Sequence, residues 1–190
     1  MRALAFSFLV VSAALCLLAG SGARAQSGAG MDSASYSEAV DLVRRVSDDP
    51  STVEEDFNVR YIGLLALGTH RRDLDAETLG AFGELFGTYL AARYVALLKA
   101  PTNTTVKITG VEPAGPRDAV VSTRIEGRGA AVETYWRVRV FGSRPQIIDV
   151  SVDGASLVDQ QRAEIAQWLK DGGAKRLIEG MRAVAAGEGN

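Results

Sequence analysis

At Pro101 the spacing of apolar residues changes from the 3.6-residue period of a helix to the two-residue period of a strand, and after Gly154 it changes back. That double switch limits the possible folds more than any composition figure does. Between the two points, Val106 and Ile108 alternate with Lys107 and Thr109, and Val121, Thr123 and Ile125 with Ser122 and Arg124. Val132, Thr134, Trp136, Val138 and Val140 alternate with Glu133, Tyr135, Arg137 and Arg139, and Ile148, Val150 and Val152 with Asp149 and Ser151. The links at 113–117, 127–129 and 142–145 are short and rich in turn formers. Four alternating strands joined this way predict an antiparallel meander with one apolar face that must be covered and one that can meet water. Helices precede and follow it, so the expected class is α+β: a four-stranded twisted antiparallel sheet covered on one face by helices.

The helical halves carry their own punctuation. Tyr36, Val40, Val43 and Val46 recur at i, i+4, i+7 and i+10, with Asp32 or Ser33 as cap and Asp48-Asp49-Pro50 as stop. Ser51/Glu54 or Thr52/Glu55 reads as a capping box for a second helix. That helix carries Phe57, Tyr61, Leu64, Leu65 and Leu67 and stops at Gly68. Asp75 caps a third, running to about Lys99, with a wide aromatic-rich stripe that includes Leu79, Phe82, Phe86, Tyr89, Leu90 and Tyr94. Gly80, Gly83 and Gly87 lie on the same helix, each costing up to about 1 kcal/mol against Ala. A helix that keeps them points to space beside it, for a close neighbour or a ligand. After Gly154, Ser156 caps a helix with Ile165, Trp168 and Leu169 on its apolar side. Gly172-Gly173 ends it, and a last helix carries Leu177, Ile178 and Met181.

The first residues set the expected compartment. Met1-Arg2, an apolar run over residues 3–18 and the Ala-Arg-Ala at 23–25 have the form of a secretory signal peptide cleaved after Ala25. The run is short for a membrane span, which needs about 20 apolar residues. Cys16 raises the alternative of a lipoprotein signal, but Leu15 before it is too large for that site. Residues 26–31 are small and flexible in character, and 32–187 are expected to form a single domain. Cleavage removes Arg2 and Arg24, so Lys+Arg falls from 21 to 19 against 23 acids, a net charge of −4 (19 − 23). Such a chain lacks the basic face that nucleic acid requires. The one cysteine leaves with the signal, so stability must come from packing rather than disulfides.

Recognisable chemistry is sparse. His70 is the one histidine, beside Arg71 and Arg72, with no carboxylate spacing around it that would complete a metal site and no Gly-x-Ser-x-Gly elbow to make it part of a triad. No phosphate-binding glycine loop follows a strand, and Gly127-Arg128-Gly129 reads as a hairpin turn. The acids at 48–49 and 54–56 sit at helix boundaries, where the helix dipole favours them. No catalytic residue, metal or cofactor is expected. Asp149 and Asp153 near the end of the last strand, with Arg162 in the helix beyond, suggest an Asp–Arg tie between the two elements, or a polar rim to a pocket. The positive feature is apolar surface: Phe82, Phe86, Tyr89, Leu90 and Tyr94 could lie over Trp136, Val138, Ile148 and Val150. An ordinary core explains that pattern, and so does a cavity with a few polar groups at its mouth.

The stretch from Asp149 to Val158, Asp-Val-Ser-Val-Asp-Gly-Ala-Ser-Leu-Val, with Arg162 after it, resembles the signature of the MlaC, or toluene-tolerance, family. The upstream order is similar too: Asp56-Phe57 followed by Leu67-Gly68, then Thr134-Tyr135-Trp136-Arg137-Val138, and finally Leu169, Gly172-Gly173 and Leu177-Ile178. The likeness covers roughly residues 36–182. It departs from the family pattern at Thr69-His70-Arg71, where an aromatic and Trp-Arg are common, and at the compact turn over 142–145. Some members are associated with hopanoid biosynthesis.

The resemblance implies a non-enzymatic periplasmic carrier that shuttles phospholipid, or a related lipid such as a hopanoid. One partner would be an inner-membrane ABC-transport complex with an MCE-domain subunit, the other an outer-membrane lipoprotein complex. Acyl chains would lie between sheet and helices. The expected lining is Leu64 and Leu67, then Phe82, Phe86, Tyr89, Leu90 and Tyr94, then Ile125, Trp136, Val138, Ile148, Val150 and Val152 of the strands, and Leu157, Ile165 and Leu169 beyond them. Two other readings stay open: a pocket-bearing isomerase or hydratase on a similar scaffold, which needs a desolvated carboxylate, and a lipid-free envelope adaptor, which needs an interior packed solid beside Trp136.

Overall fold

The structure, a computed structural model, describes residues 31–97, 105–127 and 130–187. The expected signal peptide, most of the stretch after it and the Arg128-Gly129 part of one turn lie outside the described residues.

Helix α1 (Ser33–Asp48) begins where the Asp32 carboxylate accepts from the Ser35 N–H at 2.8 Å, and it buries Ala39, Leu42, Val43 and Val46 on one face. Then come the single turn α2 (Val53–Asp56), α3 (Val59–Leu67) and α4 (Ala76–Leu97), with 3-10 turns at Pro50–Thr52 and Gly68–Arg72. Strands β1 (Thr105–Gly115), β2 (Asp118–Glu126), β3 (Val132–Phe141), β4 (Arg144–Val152) and β5 (Ala155–Ser156) form one antiparallel sheet in sequential order. Helix α5 (Leu157–Ala185) closes the fold, broken by non-helical backbone at Gly172 and Gly173.

The class is the expected α+β, with four details changed. A fifth strand, only two residues long, is created by the tight Asp153-Gly154 turn, where both residues have positive φ (49° and 82°) as a hairpin turn of that type requires. The expected second helix is two. Phe57 is extended (φ −90°, ψ 145°), it bridges Ile147, and the Asn58 N–H donates to the Ile147 carbonyl at 2.9 Å, so the chain docks on β4 before α3 starts. The capping box does not form: Thr52 makes no side-chain cap, and its hydroxyl donates instead to the Asp49 carbonyl. The alternation of β4 is interrupted by a bulge. Trp136 faces Val150 but Val138 faces Ile147, so Ile148 is the extra residue and Ile147 takes the core position expected of Ile148.

Helix α1, rather than α4, lies along the sheet, contacting β1 to β4. Its stripe of Ala and Val is narrow enough to approach the strands closely. Helix α4 is apolar on several sides and sits among α2, α3 and α5. It reaches the sheet through Tyr94, whose ring meets Trp136 edge-on at 5.8 Å and Phe57 at 5.0 Å. Breaking α5 at Gly172-Gly173 folds its second half back, so that Gly180 lies against Trp168. A Cβ at Gly180 would sit 2.5 Å from the indole.

Two buried carboxylates tie the elements together. Asp56 accepts two bonds from Arg45, at 2.6 and 3.0 Å, joining α2 to α1. Asp118, 3 % exposed, accepts from Arg137 and Arg139, and Arg139 also bonds the Tyr61 hydroxyl of α3 and lies over its ring. The Arg139 hydrogen bond, with Arg137 beside it, holds the Asp118 carboxyl below its ordinary range against the opposing cost of burial.

Substituting Gly180→Ala should destabilise the protein by about 1–3 kcal/mol through overpacking on Trp168, whereas Gly80→Ala, whose Cβ would meet nothing within 4 Å, should stabilise by up to about 1 kcal/mol; urea melts of the two variants measure both. Because folding lowers the pKa of Asp118, its contribution is present above the ordinary Asp value of about 3.9 and is lost as pH falls through the folded value. Asp118→Asn should therefore cost about 3 kcal/mol at pH 7, and the gap from wild type should narrow in melts at pH 3.

Candidate functional site: a cleft between two helices

Helices α3 and α4 meet closely at one point and part beside it. Gly63 makes the contact: a Cβ there would stand 3.2 Å from both Phe82 and Phe86. Gly83, one residue along from Phe82, has nothing within 4 Å of where its Cβ would be. Beside it opens a cleft of ≈ 480 Å³, lined by Val59, Leu64, Leu67, Leu79, Phe82, Phe86 and the two glycines, with Arg60 and Arg71 as its only charged residues. Phe82 and Phe86 stack at 5.0 Å along its wall. Leu64 is 39 % exposed there, unusual for a large apolar side chain. Both arginines are exposed, and neither has an ion-pair or hydrogen-bond partner among the described residues. A mainly apolar cavity with few polar groups is the usual build of a small-molecule site, and its volume falls within the typical range of about 300–1,000 Å³. Taking a methylene as roughly the size of a water molecule, about 30 Å³, it has room for one long acyl chain.

A second pocket, of ≈ 280 Å³, lies between α4 and α5 and is lined by Arg93, Leu157, Gln160, Gln161 and Glu164. Glu164 accepts from the Tyr89 hydroxyl at 2.6 Å and pairs with Arg93. Burial, with the Glu164 carboxylate beside it, pushes the Tyr89 phenol well above its usual range. Gln161 is 1 % exposed, and neither its amide nitrogen nor its amide oxygen has a partner; the Tyr94 hydroxyl and the Thr134 hydroxyl are likewise buried and unpaired. Each such group costs about 1–3 kcal/mol. A third hollow, of ≈ 260 Å³, includes His70, Asp73, Asp75 and Leu169. Among the described residues no cluster of three or more metal-binding side chains occurs.

Of the residues singled out in the sequence, Leu64, Leu67, Phe82 and Phe86 come together in the α3–α4 cleft. Tyr89, Leu90, Tyr94, Trp136, Val138, Val150, Leu157 and Ile165 belong instead to the continuous core cluster. Ile125 and Val152 are half-buried on the sheet, Leu169 packs on the core from its edge, and Ile148 is buried outside the main cluster. Of the cleft residues outside that set, Leu79 stands on the aromatic stripe and Gly83 among the glycines that pointed to space. Arg60 and Arg71 carried no sequence signal, since nothing in their spacing marks them.

The expected Asp149–Arg162 tie is absent. Arg162 donates to the Leu65 carbonyl at 3.0 and 3.1 Å, satisfying the C-terminal end of α3, and pairs with Asp159. Asp149 accepts from the N–H groups of Val150 and Val158 and from the Ser156 hydroxyl, which in turn caps α5 through the Asp159 N–H. Asp149 is thus the hub of the strand-to-helix turn, and Asp153 is exposed in that turn.

Comparison with known proteins gives two findings. No curated protein matches the chain in sequence. Among solved structures, the phospholipid-binding protein from Ralstonia solanacearum, in complex with a phospholipid, is similar in fold. Its TM-score is 0.62 at 18 % identity, over 81 % of this chain and 96 % of that one. The family model described as MlaC protein matches residues 31–183. The match spans helices, sheet and closing helix alike, and the chain belongs to the MlaC family.

Proposed function

We propose that this protein is a lipid carrier that takes up a phospholipid or related lipid such as a hopanoid, with an acyl chain in the α3–α4 cleft and its phosphate near Arg60 and Arg71. The observation that carries the reading is the cleft itself: an open apolar surface of this size, in an MlaC-family chain, with two unpartnered guanidinium groups beside it. Each buried methylene contributes about 0.8 kcal/mol, and an arginine fork fits two phosphate oxygens. Binding therefore needs no nucleophile, base or metal. The Ralstonia protein of the same fold, solved with a phospholipid, supports the ligand class.

The wider setting is proposed with it. The leader-like first 25 residues and the family support export to the periplasm. There the protein would receive lipid from, or pass it to, an inner-membrane ABC-transport complex with an MCE-domain subunit, and meet an outer-membrane lipoprotein complex on the other side. One observation favours the second reading, a lipid-free adaptor: Trp136, Tyr94, Val138 and Val150 are 0–1 % exposed, so the seam between sheet and helices is closed. The carrier reading meets this by placing the chain in the cleft.

Gly83→Leu separates the two. Its side chain enters open space, so the variant should fold at least as stably as wild type while losing most of the lipid that wild type carries; native mass spectrometry and solvent extraction of both proteins after exposure to phospholipid vesicles measure the load. Wild type without lipid would favour the adaptor, and Gly83→Leu with normal lipid would remove the cleft from the account.

A further inference from the structure

The pocket between α4 and α5 is unlike the cleft, because its character is polar and its polar groups are incompletely satisfied. Arg93 and Glu164 face each other across it with one positive and one negative charge, 24 % and 27 % exposed. Gln161, in the same wall, brings one unused donor and one unused acceptor. A buried carboxamide with both ends unpaired is uncommon in a folded protein, and it marks a place where a polar partner is missing. The Tyr89 hydroxyl adds a second bond that holds Glu164 in position from α4.

The chemistry of these groups selects a ligand. The pair is neutral overall, so a ligand that replaces the Arg93–Glu164 contact without leaving net charge must carry both signs. Its anionic part would take Arg93 and the Gln161 amide nitrogen, both of which only donate. Its cationic part would take Glu164 and the Gln161 amide oxygen, both of which only accept, so the cation must carry N–H groups. A phosphate diester a few bonds from a primary ammonium meets all of these conditions. A phosphoglycerol head, with net negative charge, and a phosphocholine head, with no N–H, do not.

We infer that the Arg93–Gln161–Glu164 pocket is a head-group site for phosphoethanolamine, resting on the reading that this protein binds phospholipid. The ligand exchanges one ion pair for two and satisfies the orphaned carboxamide. The pocket thereby gives the protein a preference among phospholipids that an apolar cleft, blind to head groups, does not provide.

The test uses a soluble probe without acyl chains, so that it does not depend on lipid carriage. Titrating the isotopically labelled protein with sn-glycero-3-phosphoethanolamine should shift the Gln161 side-chain amide and the Arg93 Nε–H resonances saturably. Gln161→Leu should weaken that binding at least tenfold, and Glu164→Gln should do so if Gln161→Leu does not fold. The choline analogue should bind at least tenfold more weakly to wild type. A flat titration, the result if the pocket holds only water, would overturn the inference, as would equal binding of the two analogues or of wild type and folded variant. Loading from vesicles of equal phosphatidylethanolamine and phosphatidylglycerol separates the two levels. Uptake in vesicle proportions with a flat titration sinks the head-group site alone, whereas saturable head-group binding with no uptake sinks the carrier reading and leaves the polar site standing.

Discussion

Trp136 joins the two halves of this molecule. Its indole is 1 % exposed on the inner face of β3, its N–H donates to the Thr123 hydroxyl at 3.0 Å, and its ring meets Tyr94 of α4, which in turn meets Phe57 between α2 and α3. A buried indole of this kind removes about 200 Å² from water, about 5 kcal/mol at 25 cal/mol per Å². The contact also fixes where everything else can go. With Trp136 and Tyr94 meeting over the sheet and α1 filling the rest of its inner face, the sheet offers no open seam at these residues. Accessible space is displaced to the second layer, where α3 and α4 touch through Gly63 and part at Gly83.

The stretch that carries the family likeness acquires a structural meaning from the hydrogen bonds around Asp149. Asp149 gathers the Val150 and Val158 N–H groups and the Ser156 hydroxyl, Asp153-Gly154 turns the chain with positive φ, Ser156 caps α5, and Arg162 satisfies the last turn of α3. Each position does a job in one tight strand–turn–helix connection. The signature therefore identifies the family by fixing how α5 leaves the sheet, while the cleft lies elsewhere and is built from residues outside the signature.

What was legible in the sequence follows from the range of the interactions. The Asp32, Asp75 and Ser156 caps and the breaks at Gly68 and Gly172-Gly173 are local, and they stand where the spacing put them. The Ile148 bulge was hidden, because adjacent isoleucines fit either register and only the partner strand decides. Asp118 and its two arginines were hidden as well: their alternation along β3 reads as a solvated face until Asp118 is paired opposite Arg139. In the site, the glycines of α4 signalled space correctly at Gly83 without saying which neighbour stood off. Arg60, Arg71 and Gln161 were silent, since their roles depend on helices that meet only in three dimensions.

The account's central claim is that acyl chains occupy the α3–α4 cleft of a protein whose sheet-facing core stays closed. A phospholipid carrying a diazirine near the end of one acyl chain, loaded from vesicles and activated by light, reports this directly by the peptides it labels. The account predicts adducts on residues of the cleft wall, Leu64, Phe82 and Phe86 foremost. Adducts on Trp136, Val138 or Val150 would contradict it, because they would mean that the contact between Tyr94 and Trp136 opens to admit lipid.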